Sequence, residues 1–175
     1  MKANGKQLKL VALFLFSMLI FTSLQAQKDD KYGDLKRPDD ISDASFDNFK
    51  NSSFDIYFNV GKLDQNLANV ESNLIKYKQD PSAIDFNSLK ADIKSLNEIG
   101  EAMPKLQSEL TALKDKSETM VKDAKNITPK TKSPKAVSNT NKSVNALDKA
   151  NDKLKELVDH QKTALETAKQ LLGNN

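Results

Sequence analysis

The chain of 175 residues has no cysteine, no tryptophan, one histidine, five glycines and five prolines. Without cysteine there is no disulfide, no thiol chemistry and no thiolate ligand anywhere in the sequence. His160 has no second histidine with which to complete a zinc site. Asp159 beside it forms no dyad, because neighbours on a helix point about 100° apart. Five scattered glycines supply neither a phosphate-cradling loop nor a nucleophile elbow. The acids Asp29, Asp30, Asp34, Asp39, Asp40 and Asp43 lack the spacing and closing glutamate of a calcium loop. The reading is a non-enzyme with no catalytic, metal-ligating or cofactor-binding residues and no cofactor.

Arginine is nearly missing as well. Arg37 is the single arginine among 27 basic residues. Planar, bidentate recognition of phosphate or guanine uses arginine, so no nucleic-acid partner is expected.

What is present begins with a leader. Lys2, Lys6 and Lys9 precede the apolar run Leu10–Phe21, and Thr22–Ala26 then turns small and polar. That order predicts a cleavable signal peptide over residues 1–26 and export to the periplasm or the extracellular space. The apolar run is shorter than the roughly 18 residues that span a bilayer, and no later segment qualifies as a transmembrane helix. The formal charge of +3 belongs to the precursor; without the leader, 24 basic side chains face 24 acidic ones.

Residues 27–44 are polar and acid-rich without periodicity, which predicts a disordered or loosely attached arm. From Phe46 the pattern changes. Phe46, Phe49, Ser53, Ile56, Val60, Leu63, Leu67, Val70, Leu74 and Tyr77 follow strict 3-4 spacing, the seam of a helix in a bundle or coiled coil. Over residues 53–60 a strand-like alternation competes, and the unbroken 3-4 pattern favours helix. Asp80-Pro81 ends this segment and starts the next, with Asp80 as cap and Ser82–Asp85 as a second capping pair. The short loop folds helix 2 back antiparallel on helix 1.

Helix 2 carries one regular run from Phe86 to Leu96 and a second from Ile99 to Ile127, out of phase by one step. Gly100 and Pro104 sit at the slip, which predicts a kink or a break there. Helix 3 has a seam of Val144, Leu147, Asn151, Leu154, Val158, Gln161, Leu165, Ala168 and Leu172. Polar Ser53, Ser117, Asn151 and Gln161 in these seams either fix register or lie where burial is shallow.

The expected fold is all-α: an elongated antiparallel three-helix bundle or coiled coil over residues 45–172. Its helices run about 45–78, 81–127 and 134–172, with a Lys/Pro linker at 128–133. Two surfaces are candidates for partner contact. Five aromatics fall within Phe46–Phe58, and Phe54, Tyr57 and Phe58 lie off the seam. There they make a sticky site, or are covered by the arm or by a second chain. Lys130, Lys132 and Lys135 belong to an acid-free stretch from Lys125 to Lys142, a positive patch or a solvated linker. The function that fits is an exported structural or protein-binding bundle with an unknown envelope partner. A periplasmic holdase-type chaperone, a membrane-active helical hairpin and a homo-oligomer are the alternatives.

Overall fold

The structure, a computed structural model, describes residues 33–173. The expected signal peptide and the first six residues of the expected arm lie outside the described residues. The described residues belong to one compact unit.

Three long helices make up the fold: α1 (Ala44–Gln79), α2 (Phe86–Asn126) and α3 (Ser133–Gly173). Short 3-10 turns at Pro81–Ala83 and Lys130–Lys132 join them, and no strand occurs among the described residues. The chain is therefore an all-helical bundle. At 1.5 Å per residue, α1 is about 54 Å long and α2 and α3 about 62 Å each. No helix among the described residues is long and apolar enough to cross a membrane.

Interhelical contacts fix the order. Asp64–Lys153, Glu71–His160 and Lys78–Thr167 step up α1 and α3 together at a constant offset of 89 positions, so these helices are parallel. Asn73 bonds Asp92 and Ser45 meets Met120, so α2 runs antiparallel to α1. Gln161 bonds Leu96, and Ser133 bonds Ala124, so α3 is antiparallel to α2. This is the up-down-up order that short connections dictate.

The ends follow from local chemistry. Asp43 accepts hydrogen bonds from the Ser45 and Phe46 amides and starts α1. Lys76 and Lys78 lie in its last turn, where cations complement the helix dipole. Asp80 caps the 3-10 turn by accepting from the Ser82 amide and hydroxyl. The cap of α2 is Asp85, which accepts from the Asn87 amide and the Ser88 hydroxyl. Helix 2 thus starts five residues later than Pro81, because each of two aspartates nucleates its own turn and the Ser82–Asp85 pair does not form. Within α2 the helix passes Gly100 and Pro104 without a break.

The α1 seam is buried nearly as read. Of its ten positions, Leu63 and Tyr77 are half-buried and the rest are buried. Ser53, fully buried in this seam, turns its hydroxyl back to the Phe49 carbonyl. In α3 the buried stripe is rotated. Leu147, Ala150, Leu154, Leu157, Gln161, Ala164 and Ala168 are buried, while Val144, Val158 and Leu165 are half-buried. Small residues in α3 admit the larger side chains of the other helices. Phe54, Tyr57 and Phe58 share one core with Ala146 and Ala150, an alternation of large and small that fills a core without voids. Residues 53–60 are helical. The apparent alternation there arises because α1 is covered on nearly all sides at that end, and a helix apolar all round is a buried one.

Candidate functional site

Residues 33–43 are packed against the bundle. They form no helix or strand and run antiparallel to α1 and α3, bridging the two. The Asp34 carboxylate accepts from the Tyr57 hydroxyl at 3.0 Å and pairs with Lys149 at 2.5 Å. Leu35 packs half-buried against the main core. Arg37 pairs with Asp55 at 2.5 Å while its guanidinium lies 5.6 Å from the centre of the Phe58 ring. Asn139 donates to the Asp39 carbonyl at 2.8 Å. Asp40 pairs with Lys50, whose side chain is only 2% exposed. Lys135 and Lys132 donate to the Asp40 and Ser42 carbonyls.

The segment ends in a tight corner. Ser42 has φ +59°, a left-handed conformation rare outside glycine, asparagine and aspartate. Asp47 braces this corner by accepting from the Ile41 and Asp43 amides. Ile41 itself is buried in a small second core with Phe46, Ala124, Ile127 and Ala136, where the arm, the start of α1, the end of α2 and the start of α3 meet.

Charge complementarity sets the ionisation here. Hydrogen bonds from Lys149 and then Tyr57 hold the Asp34 carboxyl below its ordinary value. Lys50 does the same for Asp40. Burial pushes the Tyr57 hydroxyl up, and the neighbouring Asp34 adds to it. Lys149 is raised by its bond to Asp34.

These facts revise the predicted contact residues. Phe54, Tyr57 and Phe58 are 1%, 9% and 6% exposed. They form one cluster with centroids 5.5–6.5 Å apart. They are core rather than open surface, and the arm is what covers them. The arm predicted to be disordered is packed from Gly33 onward, because its acids meet lysines and its Leu35 and Ile41 find apolar partners. Lys132 and Lys135 reach the arm backbone, while Lys130 donates to the Lys125 carbonyl near the end of α2. The linker lysines therefore close the end of the bundle over backbone acceptors.

Two clefts lie elsewhere. One of about 320 Å³ opens between α2 and α3 beside Met103, Pro104, Leu154 and Val158. Gln161 is buried at its edge and donates to the Leu96 carbonyl at 2.8 Å. A side-chain carbon on Gly100 would fall 2.9 Å from that amide nitrogen, so glycine makes room for the bond. The other, between α1 and α3, is a shallow recess of about 60 Å³ where Glu71 meets His160 at 3.1 Å and Lys153 meets Glu156 at 2.9 Å. The His160 side chain is 64% exposed, off the seam as the heptad pattern placed it.

Sequence reasoning missed Asp34, Asp40, Lys50, Lys149 and Asn139. The available signal was Lys50 amid a stretch of apolar positions; Asp47, one turn before it on the helix, accepts from the Ile41 and Asp43 amides, and Lys50 pairs with Asp40 of the arm. No family model, no curated protein and no solved structure matches the chain.

Proposed function

We propose that the chain is an exported, non-enzymatic helical bundle with a structural or protein-binding role in the cell envelope or outside the cell. The observation that carries this reading is where the apolar surface goes. The three seams close on one another within a single chain, and Ile75 and Phe86 are the exposed large hydrophobics of the described residues. A holdase needs an open apolar face for unfolded chains, and a membrane-active hairpin needs a wide one. A closed, charged rod suits scaffolding or specific contact.

The reading includes removal of residues 1–26 during export and a bend in α2 at Gly100–Pro104. The bend is supported by chemistry: Pro104 has no N–H for the Gly100 carbonyl, and its ring crowds that carbonyl. The reading also includes a monomer, since the core is complete without a second copy.

Light scattering on the chain from Gln27 onward, which contains the whole compact unit, tests the closed seams. A monomer mass at micromolar concentration is expected. A stable trimer whose helicity collapses on dilution would place the seams between chains. Suppression of aggregation of an unfolded membrane protein at equimolar ratio would replace this reading with the holdase. Dye leakage from anionic liposomes would replace it with the membrane-active hairpin.

A further inference from the structure

The strip of α1 and α3 beneath residues 33–43 has the features of a peptide-binding groove. Its floor is the aromatic cluster of Phe54, Tyr57 and Phe58, closed from below by the core. Its walls supply cations from both sides: Lys50 from α1, Lys135 and Lys149 from α3. Recognition of the segment lying in it divides into two kinds. Lys132, Lys135 and Asn139 donate to backbone carbonyls, which any extended chain offers. Lys149 with Tyr57, and Lys50 six residues further along, each select a carboxylate. Asp55 and the Phe58 ring select a cation between them, so the pattern read is an extended peptide with two acids six positions apart, a basic residue between them and apolar side chains at intervals.

The resident segment is held in a way that permits exchange. It joins no sheet and no helix, so no backbone ladder secures it. Asp34 and Lys149 are 70% and 40% exposed, so that pair is individually weak, while Lys50, 2% exposed, needs a carboxylate that an incoming segment can supply in place of the 65% exposed Asp40. The left-handed Ser42 corner is strained for a non-glycine residue, and opening it would release that strain.

We infer that the α1–α3 groove is a docking site for an extended acidic segment of a partner protein, occupied in the free chain by its own residues 33–43. The partner segment displaces the arm and takes over Lys50 and Lys149. This deepens the protein-binding reading above and rests on it. The occupant is fixed by charge: the groove offers lysines to two carboxylates six positions apart and Asp55 to a cation between them, and the arm shows that spacing.

The test uses the chain from Gln27 and a fluorescein-labelled peptide of residues 33–43 as probe. Asp34→Asn with Asp40→Asn loosens the arm without touching the groove. In anisotropy titrations, this variant should bind the probe at least 10-fold more tightly than the unaltered chain does. A probe with asparagine at both acid positions should not saturate it. Hydrogen exchange on the unaltered chain should show arm amides opening well before the α1 and α3 core. If the variant keeps its full helicity yet takes up no probe, or if arm amides exchange only with global unfolding, the groove proposal fails. A doubled mass for the variant would assign the groove to the arm of a second copy and overturn the partner assignment. A photo-cross-linker at Ile75, remote from the groove, separates the two levels. Envelope adducts there without probe uptake would keep the binding role and discard the groove.

Discussion

Gly100→Ala gives a test in which the sign of the effect depends on a single neighbour. In a helix interior, glycine is less favourable than alanine by about 0.5–1 kcal/mol, so the exchange should stabilise α2 if nothing else changes. Here something else does change. The new methyl would sit 2.9 Å from the Gln161 amide nitrogen, which donates to the Leu96 carbonyl at 2.8 Å. Gln161 is 7% exposed, and it can move off the methyl only by turning toward the cleft it lines and giving up the Leu96 carbonyl. Losing that bond costs about 1 kcal/mol, and leaving the amide poorly satisfied adds about 1 kcal/mol at the low end of the range, since the neighbouring cleft admits water. The single substitution should therefore destabilise by about 1 kcal/mol net. In a Gln161→Ala background the obstacle is gone, and the same Gly100→Ala change should stabilise by about 0.5–1 kcal/mol. The coupling between the two sites is then about 1.5–2 kcal/mol, well above the scatter of additive pairs. Urea denaturation followed by far-UV circular dichroism on the four proteins of the cycle measures it. If Gly100→Ala stabilises equally in both backgrounds, Gln161 does not lean on Gly100 and the two helices do not depend on glycine to approach there.

Three further outcomes follow from burial and charge. Phe54→Ala removes a ring that is 1% exposed and should cost about 3–5 kcal/mol in denaturant unfolding; a cost under about 0.5 kcal/mol would return the ring to the surface. Pro104→Ala restores a donor to α2 at an exposed position and should stabilise by up to about 3 kcal/mol; a loss of stability would mean that the packing of α2 depends on the proline. Burial pushes the Asp92 carboxyl above its ordinary 3.8, with a bond from Asn73 partly opposing. Because its folded pKa is raised, its contribution to stability is full below the unfolded value and is lost as pH rises through the folded one. Asp92→Asn should thus raise the denaturant midpoint at about pH 7 and have little effect at about pH 3; the same gain at both would place the carboxyl in water.

The legible parts of the fold were those where large apolar residues carried the pattern. In α1 the stripe of Phe, Ile, Val and Leu matched a buried face along the whole helix, and the equally large Phe54, Tyr57 and Phe58 off that stripe are buried as well. In α3 the same rule misled. Val144, Val158 and Leu165 outweighed Ala146, Ala150 and Ala164 in the reading, yet these three alanines form part of the buried face. Alanine is nearly silent in a hydrophobicity pattern, although it is what lets a neighbouring helix come close. Both stripes obey 3-4 spacing, so periodicity alone could not choose between them. The choice is made by what faces them: a helix whose aromatics need space selects the alanine side of its partner.

The arm shows a different limit. Its acids gave it a composition expected of disorder, because composition counts charges without their partners. The partners lie outside the segment and at unlike distances: Lys149 is 115 positions from Asp34, and Lys50 is 10 from Asp40. One local clue points the right way. Lys50 stands between Phe49 and Ser53 on a face with Phe46 and Phe54, so helix geometry alone places its stem in the core. An ammonium drawn into such a setting needs a carboxylate, and the acids that can fold back over that face are those immediately upstream of the helix. A buried lysine near a helix start, preceded by an acid-rich extended segment, is therefore a sequence-level argument for a docked arm rather than a disordered one. The same argument makes the arm conditional: whatever supplies a carboxylate to Lys50 satisfies the bundle equally well, and the chain's own Asp40 holds that position through its tether rather than through a unique fit.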